Sequence, residues 1–199
     1  MRPQFSVIGG FFLRTLLFLV PALALWYAAR DGVVVPPTWL AREVLQHLFP
    51  SWVLGMERDG AGHVLITNLR VLAQNGQIGE LAPDIRALSY CYGSALLPAL
   101  LLASRAKGLW WKLPAGLVLL MPFQAWGISF AWLLQVAVQS GPQVAHQAGF
   151  SSLGINLVAV GYQFGYLLFP ALAPVLIWFA FDRRLVATVL VEGSLSARH

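Results

Sequence analysis

Hydrophobic residues in this chain are gathered into long runs separated by short polar stretches. One uncharged apolar run covers residues 157–181, with Trp178 near its end and Asp182, Arg183 and Arg184 close behind. At about 1.5 Å per residue it is long enough to cross a bilayer core of about 30 Å. An interfacial tryptophan followed by basic residues is typical of a helix that leaves the membrane on the cytoplasmic side. The pattern therefore predicts a transmembrane helix over 156–181.

The same pattern predicts three earlier transmembrane helices, over 12–29, 87–104 and 109–138. The first requires Arg14 to extend its guanidinium toward the headgroups. Arg105 and Lys107 lie between the second and third helices and mark a cytoplasmic loop. Both termini are then cytoplasmic, and segment 30–86 lies outside. The alternative for the first run is a cleaved signal peptide with a cleavage site at 22–24.

Segment 30–86 has the composition of a small extramembrane α/β insertion, since it holds most of the acidic residues and repeated turn signals. Thr38 can cap a short amphipathic helix that could lie flat on the membrane, with an apolar side made of Leu40, Ala41, Val44, Leu45 and Leu48. Strand-like residues follow on both sides of the turn at 59–62, and Asn75-Gly76 offers another turn. We expect a β-meander of two or three strands after the helix.

Composition agrees with a membrane protein, because 58% of the residues are hydrophobic and only 11% are charged. Soluble proteins average about 25% charged residues. The 13 Lys and Arg exceed the 8 Asp and Glu, but the bases flank apolar runs and do not form the single solvated face of a nucleic-acid-binding protein. We therefore expect the protein to associate with a lipid bilayer and not with nucleic acid.

Cys91 is the one thiol in the sequence and the one candidate nucleophile. Arg86 could lower its pKa, and His146 is a possible base. No sequence signature supports such a site, and a lone cysteine in an apolar helix usually packs as a small hydrophobic residue. The histidines lack the spacing of metal ligands. We expect no catalytic residue, metal or cofactor.

Uncharged polar residues inside the last two predicted spans are the remaining candidates for function: Gln124, Ser129, Gln135, Tyr162, Gln163 and Tyr166. In hydrocarbon such groups seek hydrogen-bond partners, either within the bundle or on another membrane helix. Tyr162 and Tyr166 are four residues apart and share a helix face, whereas Gln163 is turned about 100° away from Tyr162. We expect Gln124, Gln163, Tyr162 and Tyr166 to include a partner-docking surface, with Gln163 and Gln124 forming the contact.

Several segments together resemble the exosortase H-associated membrane proteins: YCYG at 90–93, LPALLLA at 97–103, PFQAWG at 122–127, GYQFGY at 161–166 and the run 170–184. The resemblance covers the last three predicted spans. It implies an accessory of a bacterial system that processes exported proteins bearing a carboxy-terminal sorting helix and basic tail. At Cys91 it leads us to expect a small residue such as serine, which argues further against catalysis.

These observations predict one all-α polytopic membrane domain over 1–199, with an extracytoplasmic α/β insertion. The expected function is that of a non-enzymatic inner-membrane accessory, which docks by helix–helix contact with an exosortase or with the carboxy-terminal helix of its client. Two alternatives stay open. They are a small membrane enzyme with transpeptidase-like chemistry that depends on Cys91, and a transporter subunit.

Overall fold

A computed structural model describes residues 7–72 and 77–182 of the protein. The helices are α1 (Val7–Ala28), α2 (Arg30–Leu48), α3 (Gly93–Ala103), α4 (Leu109–Leu134), α5 (Pro142–Gln147), α6 (Ser152–Gln163) and α7 (Phe169–Phe181). The strands are β1 (Val53–Asp59), β2 (Gly62–Thr67), β3 (Arg70–Leu72), β4 (Ile78–Glu80) and β5 (Asp84–Ile85). A 3-10 helix, Ala87–Tyr90, precedes α3, and π-helical turns follow α4 at Gln135–Gln139 and α6 at Phe164–Leu168.

The protein is mostly helical with a small sheet region, as predicted. Three described helices are long and apolar enough to cross a membrane, namely Gly9–Ala28, Leu109–Gln139 and Ser152–Phe181. The predicted span 87–104 corresponds to a shorter apolar segment, Ala87–Ala103. The fourth crossing therefore stays a prediction.

The chain forms two compact units. Among the described residues, the first comprises 7–30, Tyr92–Leu120 and 171–182, and the second comprises 31–72, 77–91 and Met121–Pro170. The helix α4 begins in the first unit and ends in the second.

In the first unit, α1 packs along α3. Gly116 of α4 allows close packing against α3, because a Cβ at this position would lie 2.6 Å from Cδ2 of Leu97. The rings of Phe11 and Trp178 are stacked with centroids 4.9 Å apart. Arg14 is half-buried, and its Nε donates a hydrogen bond to the Gly10 carbonyl one turn toward the N-terminus. That direction is the one required for the guanidinium to reach the headgroups at the start of the span.

The end of α7 in the first unit is held by Lys112, near the start of α4. Its Nζ donates a hydrogen bond of 2.9 Å to the Phe181 carbonyl. The last carbonyls of a helix have no partner within the helix and carry the negative end of its dipole. The ammonium group satisfies one of them, and so holds the end of α7 to the start of α4.

The second unit contains the sheets. Strands β1, β2 and β5 form an antiparallel sheet in the order β1-β2-β5, and β3 pairs with β4 in a separate hairpin. The turn between β1 and β2 lies where the sequence predicts it, and Gly60 there adopts a φ of 56°. The predicted turn at Asn75-Gly76 falls outside the described residues. The predicted meander of two or three strands is too simple, because the described strands form a three-stranded sheet and a separate hairpin. The sequence does not indicate this arrangement, since β3, β4 and β5 are very short and lack an extended period-two pattern.

Helix α2 differs from the prediction that Thr38 caps its N-terminus. The helix begins at Arg30, and Thr38 lies in its interior, where its hydroxyl donates to the Val34 and Val35 carbonyls. The prolines Pro36 and Pro37 lie inside the helix even though each lacks an N–H donor. The burial of one helix face compensates for the missing hydrogen bonds. That face contains Val34, Pro37, Thr38, Ala41 and Leu45. This face is rotated from the predicted one, since Val44 and Leu48 are exposed.

The core of the second unit is centred on Trp132 of α4, which is fully buried. Its indole Nε1 donates a hydrogen bond of 3.0 Å to the His63 carbonyl of β2. A buried indole N–H requires such an acceptor. The bond fixes the three-stranded sheet to the last turns of the longest apolar helix.

Candidate functional site

The four predicted docking residues lie in different environments. Gln124 is buried, with 5% of its surface exposed, whereas Gln163 is exposed. Tyr162 is half-buried and Tyr166 is 46% exposed. The surface available to a partner therefore includes Gln163 and Tyr166 but not Gln124. The docking role of these residues stays a prediction.

The two tyrosines share a face, as their spacing requires. The rings of Tyr162 and Tyr166 are stacked with centroids 5.6 Å apart and planes at 9°. Tyr90, at the end of the 3-10 helix, places its ring 5.9 Å from that of Tyr166 in an edge contact. The three rings form one aromatic wall.

That wall borders a cleft of about 240 Å³ in the second unit. Its apolar floor includes Ala131 and Leu134 of α4. Its polar lining consists of the three tyrosines with Asp84, Arg86, Ser89, Gln135 and Gln139. The cleft thus joins the end of a candidate membrane helix, a second candidate membrane helix and the edge of the sheet. We call it the tyrosine cleft.

Both π-helical turns contribute to the tyrosine cleft. The first supplies Gln135 and Gln139, and the second supplies Tyr166. Each turn is supported by a side chain that binds a carbonyl in or beside it: Ser140 Oγ donates to the Gln135 carbonyl at 2.8 Å, and Trp126 Nε1 donates to the Gly161 carbonyl at 3.0 Å. π-helical turns are rare and occur frequently at functional sites. Their presence on two walls of one cleft marks it as the candidate site.

Gln135 connects the cleft to the sheet. Its Nε2 donates to the Asp84 carbonyl at 2.6 Å, and its Oε1 accepts from the Asp84 N–H at 3.1 Å. This is the hydrogen-bond pattern of a neighbouring strand, supplied by one amide side chain. It satisfies the backbone of Asp84 on strand β5, at the edge of the sheet.

Asp84 and Arg86 place opposite charges on the same wall. Both are exposed, while Ile85 between them is buried. Successive side chains of an extended segment point to opposite faces, so these two share one face. The Asp84 carboxylate also occupies the space that a Cβ of Gly62 would fill, so the missing side chain at Gly62 gives it room. Within the described ranges, neither charge forms an ion pair.

His63 lies beneath this wall and is 4% exposed. Burial lowers its pKa, the neighbouring Arg58 charge lowers it further, and Asp84 raises it by a smaller amount. Its Nδ1 has no hydrogen-bond partner among residues 7–72 and 77–182. The fold therefore favours the neutral imidazole.

The helices that carry the cleft cross closely at two glycines. A Cβ on Gly165 would lie 2.6 Å from the Cα of Gly127, and a Cβ on Gly127 would lie 2.9 Å from the Gly165 carbonyl oxygen. Small residues at such crossings allow the backbones of membrane helices to approach. Both positions belong to the second unit, and the crossing fixes the aromatic wall against α4.

Cys91 is fully buried, with 0% of its surface exposed, although it directly follows Tyr90. His146, the base suggested by the sequence, is exposed. A thiol without surface access cannot meet a substrate in this conformation. No group of three or more potential metal ligands occurs in the described part of the chain.

Sequence reasoning missed Gln139 and considered Arg86 only as a charge that could lower the pKa of Cys91. A signal for the former was present, because Gln135 and Gln139 are four residues apart at the end of an apolar helix and so share a face. The partnership of Gln135 with Asp84 spans 51 residues, and no local pattern indicates it.

Fold and site together define a small helical membrane protein with a polar cleft beside its candidate spans. The chain belongs to the exosortase H-associated membrane proteins, whose family model matches residues 5–185. The predicted family is thus confirmed. The chain matches no curated protein and no solved structure.

Proposed function

We propose that the protein is a non-enzymatic accessory of an exosortase in the bacterial inner membrane, and that it acts by docking a membrane helix of the exosortase or of its client. The family description supports association with an exosortase. The buried thiol of Cys91 favours a role without covalent catalysis.

The observation that carries the docking mechanism is the position of Gln163 on an exposed stripe of α6 and its π-helical turn. Leu157, Val160, Phe164 and Leu167 are exposed at alternating spacings of three and four residues, which is the spacing that packs one helix against another. Exposed apolar residues alone do not indicate a partner helix, because lipid is as apolar as such a helix and covers them equally well. Gln163 adds an amide to this stripe, and its side chain has no hydrogen-bond partner within the described chain.

Replacing Gln163 by leucine tests the docking surface. The change removes the amide without opening a cavity, so the protein should accumulate normally in the membrane. Co-purification with the exosortase should fall by about fivefold, since an interhelical hydrogen bond in a membrane contributes about 1 kcal/mol. Gln143→Leu is the matched control, because Gln143 is exposed on α5 outside the candidate spans. Wild-type recovery of the exosortase with Gln163→Leu would exclude this surface.

The proposed topology has four crossings with both termini in the cytoplasm. The segment Ala87–Ala103 supplies the additional crossing, and charged Arg86 and Arg105 lie at its two ends. Its length is close to the lower limit of about 17 residues for a transmembrane helix. A reporter that is active only in the cytoplasm should be active when fused after Arg184 and silent when fused within the sheet, after Gly60. Activity at Gly60, or silence after Arg184, would refute the topology.

A further inference from the structure

The depth of the tyrosine cleft follows from helix length. About 20 helical residues cross the hydrocarbon core. Counting forward by about 20 residues from Lys112 along α4 reaches Trp132, so Gln135 and Gln139 lie just beyond the core. Counting back by about 20 residues from Asp182 along α7 and α6 reaches Tyr162. Both counts end at the tyrosine cleft, so the cleft lies at the depth expected of a headgroup layer.

The charges in the cleft suit a small ligand that carries both signs. Asp84 and Arg86 share a face, and neither forms an ion pair within the described chain. Two residues of extended chain separate their Cα atoms by about 6–7 Å. A ligand with a cation and an anion at a similar spacing can bind both groups with charge-assisted hydrogen bonds.

The size of the cleft limits that ligand. Its volume of about 240 Å³ is below the range of about 300–1,000 Å³ that is usual for drug-sized ligands. Ser89 and Gln139 add hydrogen-bonding groups to the lining. The space fits one compact polar group and is small for a folded peptide segment.

Two exposed apolar residues follow the cleft along the chain, in the direction of the membrane interior. Leu167 and Leu168 follow Tyr166 in the π-helical turn, and all three are exposed. A ligand with a polar head in the cleft and an apolar tail would keep both parts in matching surroundings. A water-soluble ligand would gain nothing from these apolar residues.

We propose that the tyrosine cleft binds the headgroup of a phosphatidylethanolamine lipid. Arg86 and Ser89 bind the phosphate, and Asp84 accepts hydrogen bonds from the primary ammonium group. Arginine is well suited to phosphate because of its forked donors. Phosphatidylcholine lacks an N–H donor for Asp84, and phosphatidylglycerol lacks a cation. The cleft should therefore select phosphatidylethanolamine over both.

Native mass spectrometry of the full-length protein in detergent tests this assignment, with the three lipids added separately. Phosphatidylethanolamine should be retained most strongly by the wild type. Asp84→Asn and Arg86→Gln should each weaken its binding by about tenfold, since each removes a charge-assisted hydrogen bond. The matched control is the pair Glu80→Gln and Arg70→Gln. These residues are also opposite charges on exposed sheet positions and face each other across β3 and β4, outside the cleft.

Soluble glycerophosphoethanolamine serves as a second probe, because it has the same headgroup without acyl chains. Weak binding of this probe, with retention of the lipid, supports a lipid site to which the acyl chains contribute. Equal retention of the three lipids by the wild type would overturn the proposal. So would a result in which the cleft variants keep phosphatidylethanolamine but lose crosslinking to an exosortase client, because the cleft would then be a polypeptide site.

Discussion

The amide of Gln135 binds both the N–H and the carbonyl of Asp84, at 3.1 Å and 2.6 Å. Gln147 on α5 makes the same paired contact with the backbone of Arg70, at 3.1 Å and 3.2 Å. Two glutamines from the helical part thus act as short substitutes for a neighbouring strand. Gln135 holds the three-stranded sheet through β5, and Gln147 holds the β3–β4 hairpin through β3.

Replacing Gln135 by leucine should release β5 from the end of α4. Each hydrogen bond contributes about 0.5–1.5 kcal/mol, and because both are exposed we expect a loss of about 1–2 kcal/mol in the free energy of unfolding. Thermal unfolding in detergent measures this, and limited proteolysis should show cleavage near Asp84. Gln147→Leu should give a similar loss with cleavage near Arg70. If Gln135→Leu unfolds like the wild type, the paired contact has no part in stability.

The crossing of Gly127 and Gly165 should tolerate no side chain. In Gly165→Ala the new Cβ would meet backbone atoms of Gly127, which cannot rotate away as a side chain can. We expect a loss of at least about 2 kcal/mol, in the range typical of overpacking. Gly10→Ala in helix α1 is the control, because a Cβ at Gly10 would have no other atom within 4 Å. Alanine is also a better helix former than glycine. The prediction fails if Gly165→Ala unfolds at the wild-type temperature.

The protein should lose stability in mild acid through His63. Its pKa is lowered in the folded state by burial and by Arg58, so the unfolded chain takes up a proton first as the pH falls. The contribution of His63 to the free energy of unfolding is fully present above its unfolded pKa of about 6.5. It is lost as the pH falls from there through the lower folded pKa. His63→Gln should therefore show a smaller decrease in unfolding temperature between about pH 7.5 and about pH 5.5. Asp84 opposes the shift, so Asp84→Asn should enlarge the decrease.

A control for the pH experiment is His146→Gln, because His146 is exposed. It should keep the pH dependence of the wild type. An identical pH dependence in the wild type and in His63→Gln would show that this histidine does not contribute.

Cys91→Ser should leave sorting intact, because the buried thiol has no route to a substrate. We expect at most a small loss of stability, about 1 kcal/mol, from placing a hydroxyl in an apolar site. Client processing in cells, normalised to the amount of variant in the membrane, is the readout. Complete loss of processing in a variant that accumulates normally would instead identify Cys91 as a nucleophile and favour the enzyme alternative.

The sequence by itself determined the helical class, the positions of the long apolar helices and the turn between β1 and β2. Apolar runs of this length have few options in a bilayer, because only a helix satisfies its own backbone there. The shared face of Tyr162 and Tyr166 was also determined, since helical periodicity places residues four apart on one side.

Only the tertiary structure decided which neighbour covers each face. Periodicity placed Ala41, Val44, Leu45 and Leu48 on one side of α2, but packing buries Ala41 and Leu45 and leaves the other two exposed. In the same way the packing buries Gln124 and exposes Gln163, two glutamines of equal chemistry in candidate spans. The tyrosine cleft depends on contacts such as Gln135 with Asp84, which join residues far apart in the chain. Such contacts are set by how the elements pack, whereas a local sequence pattern reports only the shape of one element.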